Sequence, residues 1–202
     1  MSSKWYPRMM NRIMFRLAKK GKMILGICGG YQMLGKEILD PHHLESKREK
    51  IQGLGLLNVI TILKSNKITS QVKAQLIEKK FFYTQEEISG YEIHMGITKL
   101  LRGVRPWLKI IKRLSQSVNI EDGAIDKEGK IMGTYIHGLF DNYHFRRCFI
   151  NYLRKRKRVS SYHPQTEISA IKQRNREYDK LAELVRDNLD MGKIYQILSN
   201  SS

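Results

Sequence analysis

The pattern of apolar positions divides the chain into alternating helical and extended segments. Over residues 6–20, apolar side chains recur at helical spacing on one face, which predicts an amphipathic helix. The apolar run over residues 22–27 has the length of a buried strand. Tyr31, Leu34 and Ile38 then return to helical spacing. The chain therefore begins with a predicted helix, strand and second helix.

The middle of the chain is dominated by extended patterns. Predicted strands cover residues 52–63, 67–77, 88–96, 123–126 and 131–136. Residues 102–117 are basic and interrupted by Pro106, which predicts a loop with a short helix. Helical periodicity returns over residues 145–157 and from about residue 167 to residue 189. This order predicts an α/β fold in one domain, residues 1–202, without repeats or linkers.

Composition narrows the class of protein. The chain has 202 residues, of which 41% are hydrophobic and 28% charged, as expected for one globular domain. No apolar run approaches the roughly 20 residues of a membrane-spanning helix, so no membrane partner is predicted. The N-terminal residues lack an apolar signal core, which predicts a cytoplasmic protein.

The charge is strongly basic, with 37 Lys and Arg against 19 Asp and Glu, a formal net charge of +18. The densest run, residues 154–158, follows a predicted helix, where cations suit the helix dipole. Aromatic residues are not interleaved with this run as in single-strand-binding surfaces. We therefore predict a solvated helix end and no nucleic-acid partner, although a polyanionic substrate would account for the charge equally well.

A cysteine bracketed by glycines lies where the first strand meets the following helix. Strand, tight turn and helix are the arrangement of a nucleophile elbow. Gly26, Gly29 and Gly30 would allow a strained turn and close packing of the helix on the strand. The helix N-terminus would favour the thiolate of Cys28, and nearby N–H groups would face an oxyanion. A lone cysteine is often structural, but this bracket favours a nucleophile.

A cysteine nucleophile needs a base, and the chain has six histidines. His137 closes an apolar strand and precedes Gly138, at a strand end where α/β sheets carry functional groups. His94 is the second candidate, with the alternative that Glu92 and His94 form a buried hydrogen-bonded pair. Cys148 lies in a predicted helix and is predicted to be core. The two cysteines predict no disulfide framework, and no metal cluster is apparent.

Four blocks in order resemble the C-terminal half of the cobyric acid synthases. They are residues 26–35, 53–57, 90–96 and 133–142. The tail from Tyr178 to Arg186 resembles the closing helix of that family. The elbow block alone would fit several glutamine amidotransferases. The resemblance implies a class I glutamine amidotransferase domain, a flavodoxin-like α/β layer fold that is incomplete at its N-terminus here.

The resemblance also implies the site residues. Cys28 matches the nucleophile that attacks the side-chain amide of glutamine, giving a glutamyl thioester and ammonia. His137 matches the general acid/base. By analogy, the positions that bind glutamine are Gly29, Gly30, Tyr31 and Gln32. For Tyr31 and Gln32 the alternative is packing of the elbow helix.

The partners follow from the same resemblance. The ammonia would pass to an ATP-dependent synthetase domain that amidates adenosylcobyrinic acid a,c-diamide, on the route to cobalamin. The chain contains no GxxxxGK[ST] phosphate loop, so ATP and Mg are expected only on that domain and no cofactor in this chain. That domain and the first amidotransferase strands are expected to be absent, which would leave an unpaired sheet edge. The corrinoid substrate would be reached through a synthetase domain or a separate chain.

One departure concerns the histidine. Many class I amidotransferases carry His-Pro-Glu, whereas Gly138 and Leu139 follow His137, and the leucine side chain accepts no hydrogen bond. The resemblance therefore implies a Cys-His dyad whose imidazole tautomer is fixed by another group, for example a backbone carbonyl.

Three interpretations stay open at this point. The first is the glutaminase part of a cobyric acid synthase. The second is a non-catalytic remnant or partner-dependent fragment of that enzyme, and the third is a stand-alone amidotransferase acting on cell-wall precursors. Residues 91–96 and the tail favour the corrinoid branch.

Overall fold

The elements follow the predicted order of a helix, a strand and a second helix, then a central series of strands, and then the closing helices. A computed structural model describes residues 5–161 and 170–199. Its helices are α1 (Trp5–Lys19), α2 (Gly29–Leu34), α3 (Tyr143–Arg156), α4 (Ala170–Asn188) and α5 (Met191–Ser199), with a 3-10 helix at Leu139–Asp141. Its strands are β1 (Ile24–Ile27), β2 (Glu37–Leu39), β3 (Lys50–Gln52), β4 (Val59–Leu76), β5 (Ile88–Leu100), β6 (Val104–Arg105), β7 (Leu108–Arg113), β8 (Gln116–Asp122), β9 (Ala124–Asp126), β10 (Ile131–Thr134) and β11 (Ile136–His137). The predicted α/β class is confirmed.

The strands form two sheets that the chain joins near the predicted site. The smaller sheet has the order β1-β10-β9-β6, and β1 runs parallel to β10. The larger has the order β11-β5-β4-β2-β3, with β7 on β4 and β8 on β7. Among the described strands, β2 and β4 form the second parallel pair. The chain leaves the smaller sheet after Thr134 and enters the larger one at Ile136, which brings the end of β1 towards β5.

Two hydrophobic clusters hold these layers together. In the larger cluster, α3 packs its aromatic side chains against the sheet, with Phe82, Trp107, Phe145 and Phe149 buried in mutual contact. In the smaller cluster, Tyr31 and Leu34 of α2 pack beside β1 and β10. The second cluster therefore supports the turn between β1 and α2.

The predicted helix after the first strand is shorter than its apolar spacing indicates. Helix α2 ends at Leu34, because Gly35 turns to extended geometry with φ −65° and ψ 175°. Ile38 lies instead in β2, opposite Thr61 of β4. The prediction that the helix continues through Ile38 is wrong, because pairing with β4 outweighs the local helical spacing.

The predicted loop over residues 102–117 is also wrong, since it contains β6, β7 and the start of β8. Leu108 and Ile110 are completely buried, and β7 pairs with β4. Two separate strands were predicted over residues 52–63 and 67–77, whereas the structure has one continuous strand, Val59–Leu76, across most of both. Residues 102–117 are extended because β9, β4 and β7 pair with β6, β7 and β8 in turn, a tertiary cause that local patterning does not reveal.

Several predicted elements are confirmed within a few residues. They include the first helix, the strand around residues 88–96, the strand at residues 123–126 and the helix over residues 145–157. The predicted strand over residues 131–136 is interrupted at Tyr135, where the chain changes sheets. The last predicted helix is present from Ala170, and its proposed start at residues 167–169 lies outside the described residues. In the described part of the chain, no helix has the length and apolar character needed to cross a bilayer.

Candidate active site

Cys28 occupies a strained turn between β1 and α2. Its backbone has φ 53° and ψ −116°, a conformation that residues with a side chain rarely adopt. The Cys28 N–H donates to the carbonyl oxygen of Thr134 at 2.9 Å, and its own carbonyl accepts the N–H of Gln32 at 3.1 Å. These bonds hold the turn from both sides, as expected where strain is stored at a functional position.

Close packing of the elbow helix on its strand depends on one glycine. A β-carbon at Gly26 would lie 2.6 Å from the carbonyl oxygen of Gly30 and 2.7 Å from Leu34 Cδ1. At Gly29 and Gly30 themselves, a β-carbon would meet no atom within 4 Å. The predicted steric requirement therefore holds for Gly26 and is wrong for Gly29 and Gly30, where the structure leaves open space.

The Cys28 turn opens onto a cleft of about 440 Å³, within the range of small-molecule sites. One wall is formed by Cys28, Gly29 and Gln32, and the other by Ile93, His94 and Met95. Ile38, Ile51, Leu63 and Lys67 also line the cleft. The cleft thus lies between the elbow and β5.

A loop built around a buried carboxylate closes one end of this cleft. Asp40 accepts the N–H groups of Leu44, Glu45 and Ser46 at 2.7, 2.9 and 2.9 Å. Burial by itself raises the pKa of Asp40, but these hydrogen bonds bring it below its ordinary value. The ionised carboxylate fixes the loop and holds Glu45 and Ser46 at the cleft.

Side chains of the elbow bind directly to β5. The Cys28 thiol donates to the carbonyl oxygen of Ile93, with Sγ 3.2 Å from the oxygen. The Gln32 side-chain amide donates to the carbonyl of Met95 at 3.1 Å and to the hydroxyl of Tyr135 at 3.4 Å. The bonds from Cys28 to Ile93 and from Gln32 to Met95 both reach backbone carbonyls of β5, and they hold the elbow beside that strand.

His137 is held against the same strand. In the antiparallel pair of β11 and β5 it lies opposite Tyr91, and the two rings are parallel within 4° with centroids 5.0 Å apart. A β-carbon at Gly90 would lie 2.4 Å from the His137 carbonyl oxygen, so the close approach requires glycine there. The His137 Nε2 atom is buried and has no hydrogen-bond partner among the described residues.

An asparagine that the sequence analysis did not single out fixes the turn after His137. Asn142 Oδ1 accepts the N–H of Ser89 at 2.9 Å, and its Nδ2 donates to the carbonyls of Ser89 at 2.8 Å and Gly138 at 3.1 Å. Asparagine before a helix is the usual signal of an N-cap. Here its side chain turns towards β5 and makes no cap hydrogen bond to α3.

Cys28 and His137 converge on one short segment of β5. The thiol contacts the carbonyl of Ile93, and the imidazole lies on the ring of Tyr91, two residues away. A second connection runs through Thr134, three residues before His137, whose carbonyl binds the Cys28 N–H. Two residues far apart in sequence are therefore supported by the same strand.

The four predicted glutamine-binding positions do not share one location. Gly29 and Gln32 line the cleft, whereas Gly30 and Tyr31 do not. Tyr31 is 1% exposed and packs in the core, edge-on to Tyr135 with ring centroids 5.2 Å apart. Burial raises the pKa of Tyr31, consistent with a phenol that stays neutral in the core.

The predicted buried pair of Glu92 and His94 is confirmed. His94 Nε2 lies 3.3 Å from Glu92 Oε1, and Arg113 Nη2 donates to Glu92 Oε2 at 2.9 Å. Burial raises the pKa of Glu92, but hydrogen bonds from His94 and Arg113 outweigh this and lower it. His94 also stacks on Tyr135, with centroids 3.8 Å apart. These contacts give His94 a structural role on β5.

A second buried carboxyl lies where the chain changes sheets. Asp122 accepts hydrogen bonds from the Thr134 hydroxyl and from the Tyr135 N–H. Burial raises the pKa of Asp122 to about 6, against the opposing effect of the Thr134 hydrogen bond. Over residues 5–161 and 170–199, no group of three His, Cys, Asp or Glu side chains is arranged to hold a metal ion.

Comparisons with known proteins agree with the resemblance. The chain is 44% identical over 194 residues to a cobyric acid synthase of Thermoanaerobacter sp. (strain X514), and 46% identical over 190 residues to one of Alkaliphilus metalliredigens (strain QYMF). These matches cover 94% and 91% of this chain but 38% and 37% of the relatives. The chain thus spans little more than a third of their length.

A solved structure and a family model complete the comparison. PurLQS from Thermotoga maritima matches with a TM-score of 0.52 and 20% identity, over 71% of this chain and 68% of that chain, which supports the fold alone. Residues 6–145 match the model of the CobB/CobQ-like glutamine amidotransferase domain. The chain belongs to the CobB/CobQ-like glutamine amidotransferase family.

Proposed function

We propose that this chain is the glutaminase part of a cobyric acid synthase and hydrolyses the side-chain amide of glutamine. The observation that carries the proposal is the strained Cys28 turn, which opens onto a cleft of suitable size and shares the support of one β5 segment with His137. A nucleophile and a base held by one rigid element meet the geometric requirement of covalent catalysis.

In this mechanism Cys28 and His137 act in turn. The Cys28 thiol gives its proton to His137, leaves Ile93, and the sulfur attacks the amide carbon of glutamine. The protonated imidazole then gives a proton to the departing ammonia, leaving a glutamyl thioester. The first N–H groups of α2 have no partner within their helix and are suited to stabilising the tetrahedral oxyanion. Water, deprotonated by His137, releases glutamate and restores the thiol.

The charges around the cleft support a free amino acid as the substrate. The carboxylate of Glu45 and the ammonium of Lys67 both border the cleft, and neither makes an ion pair with another described residue. A free amino acid carries one charge of each sign at its α-carbon, so the two side chains are complementary to it. Ile38 and Ile51 offer apolar contact to its methylene groups.

We propose that the ammonia passes to an ATP-dependent synthetase, as a domain or a separate chain, which amidates adenosylcobyrinic acid a,c-diamide for cobalamin. ATP and Mg would bind that synthetase. The relatives' much greater length is consistent with an additional catalytic unit. The second candidate is a form that is active only with a partner. It is favoured by the position of β1, which is an edge strand with one neighbour in the described sheet. Pairing at that edge would fix the Cys28 turn more firmly.

The test is ammonia release from L-glutamine by the purified chain, compared with Cys28→Ser and His137→Gln. We expect turnover that disappears in Cys28→Ser and falls roughly 100- to 10,000-fold in His137→Gln. Lys64→Gln, an exposed lysine outside the cleft, is the control and should retain full activity. A folded sample that binds L-glutamine without turnover would favour the partner-dependent form, and absence of binding as well would refute the proposal.

A further inference from the structure

We infer that Tyr91 is a positioning residue, whose ring orients the His137 imidazole in the absence of a carboxylate partner. This inference rests on the proposed role of His137 as acid/base. Its starting point is the parallel stack of the two rings, whose planes differ by 4°.

A histidine that shuttles protons needs a fixed ring plane. The two positions after His137 offer no carboxylate, because they are Gly138 and Leu139. The next carboxylate, Asp141, binds Arg174. Leu139 is buried in the core, and Asn142 fixes the backbone of the turn without contacting the imidazole. The terminal torsion of histidine has broad minima, so a fixed backbone leaves the ring free to turn. The face of Tyr91 restricts that rotation.

The stack is built into the sheet register. Tyr91 and His137 are opposite residues of an antiparallel pair, which places their side chains on the same face. The turn around Gly90 and Gly138 allows β11 to approach closely. Because the register and the glycine contact determine the pairing, the ring overlap does not depend on a flexible side chain alone.

Strand β5, which carries Tyr91, is held in place by buried polar contacts. Glu92 and His94, which alternate with Tyr91 along β5, are buried and hydrogen-bonded to each other, and Arg113 binds Glu92. The carbonyl of Ile93, on the same strand, holds the Cys28 thiol. The anchored strand thus sets the imidazole and the thiol relative to each other, which makes Tyr91 part of the alignment of the reacting pair.

Tyr91 is 44% exposed, and its hydroxyl has no hydrogen bond to another described residue. The effect therefore comes from the ring and not from the hydroxyl. Tyr91→Phe keeps the aromatic face, whereas Tyr91→Leu keeps a bulky apolar side chain without it, so the two variants should differ. Tyr83, also half exposed but outside the cleft, provides the control Tyr83→Leu.

The first measurement is NMR of the full chain with isotope-labelled histidine, with the His137 signals assigned by their loss in His137→Gln. We expect the His137 ring shifts and the tautomer balance to be retained in Tyr91→Phe and Tyr83→Leu. In Tyr91→Leu the ring shifts should move downfield as the shielding by the aromatic face is lost, and the tautomer ratio should change. This readout does not depend on turnover, so it stands apart from the proposed function.

The second measurement is glutaminase kinetics over a range of pH. Tyr91→Leu should lower kcat roughly 10- to 100-fold with little change in KM, since misplacing a catalytic group affects the transition state more than binding. It should also shift the acidic limb of the pH profile, whereas Tyr91→Phe keeps the profile. Unchanged His137 signals in Tyr91→Leu would overturn the inference, and so would equal loss of kcat in Tyr91→Phe and Tyr91→Leu. If the parent shows no turnover, the kinetic comparison cannot be made, and the NMR comparison alone decides the role of Tyr91.

Discussion

The backbone at Cys28 shows how much of the site depends on single residues. Its φ of 53° costs on the order of 1–3 kcal/mol, which the rest of the fold has to offset. Neighbouring residues stabilise this conformation, since Thr134 and Gln32 bind the Cys28 backbone and Gly26 lets the helix lie against the strand. The reacting thiol is therefore presented by a turn that neighbouring atoms hold in place.

Gly26 and Gly29 form a matched pair for testing this packing. Gly26→Ala should lower the free energy of unfolding by about 1–3 kcal/mol, because the new methyl group would meet the backbone of Gly30. Gly29→Ala enters open space at the start of α2 and should be neutral or stabilising by up to about 1 kcal/mol. Urea unfolding of the two variants measures the difference. Equal values for both would contradict the close-packing argument.

Some helices and strands are determined by the local sequence pattern, and others only by pairing with a distant strand. The segment around residues 88–96 was predictable because alternation alone identifies a half-buried strand. Ile38 and the strand Leu108–Arg113 were not, because each is extended only through pairing with β4. A pattern identifies which face of a segment is apolar, but it does not identify the partner that decides between helix and strand.

The candidate site likewise contains residues that the local sequence identifies and residues that only strand pairing brings together. Cys28 and His137 stand out because glycines and strand ends surround them in the sequence. Tyr91 and Asn142 do not, because their contacts arise only when β11 and β5 pair, and the Asn142 bond to Ser89 spans 53 residues. Tyr31 was expected at the substrate, but its place on the buried face of α2 carries its ring into the core.

The junction between β8 and β10 should make stability depend on pH through Asp122. Burial raises the pKa of Asp122 from 3.8 to about 6, so between these values the folded chain binds a proton more tightly than the unfolded chain. The folded state therefore loses stability as pH rises through this interval, by about 3 kcal/mol in full, and the loss is constant at higher pH. Asp122→Asn removes this contribution.

The measurement is urea unfolding of the parent and Asp122→Asn from pH 4 to pH 7.5. The variant's free energy of unfolding minus the parent's should increase from about pH 4 to about pH 6 and then level off. Using the difference cancels the opposite trend of Asp40, whose pKa is lowered and which does not interact with Asp122. A difference that stays flat or declines across this interval would show that Asp122 is ionised in the folded protein at low pH.

For the whole molecule, the dominant property is a net charge of +18 on 202 residues. Like charges repel in the compact state, and dissolved salt screens them over a distance of about 10 Å at 0.1 M. The end of α3 concentrates part of this charge, with Lys155, Lys157 and Arg158 exposed. The fold therefore carries a global electrostatic cost that no single contact removes.

Salt should stabilise this molecule as a consequence. Raising NaCl from about 0.05 M to about 0.5 M should increase the melting temperature by roughly several degrees, since screening weakens the repulsion. The double variant Lys155→Glu with Lys157→Glu should melt higher at low salt and respond less to added salt. Thermal denaturation followed by circular dichroism measures both. A melting temperature that falls with salt would mean that attractive ion pairs outweigh the repulsion.

The two cysteines lie in different surroundings, and this provides a way of measuring the folded fraction of a preparation. Cys28 borders the open cleft, whereas Cys148 is part of α3, where burial raises the pKa of its thiol. Near neutral pH Cys148 is therefore protonated and a poor nucleophile. Excess maleimide should therefore add one label to a folded molecule, at Cys28, and two to an unfolded molecule, which exposes both thiols, so the mass of the product reports the folded fraction. The number of labels thus measures the folded fraction of each preparation, and rates can be expressed per folded molecule.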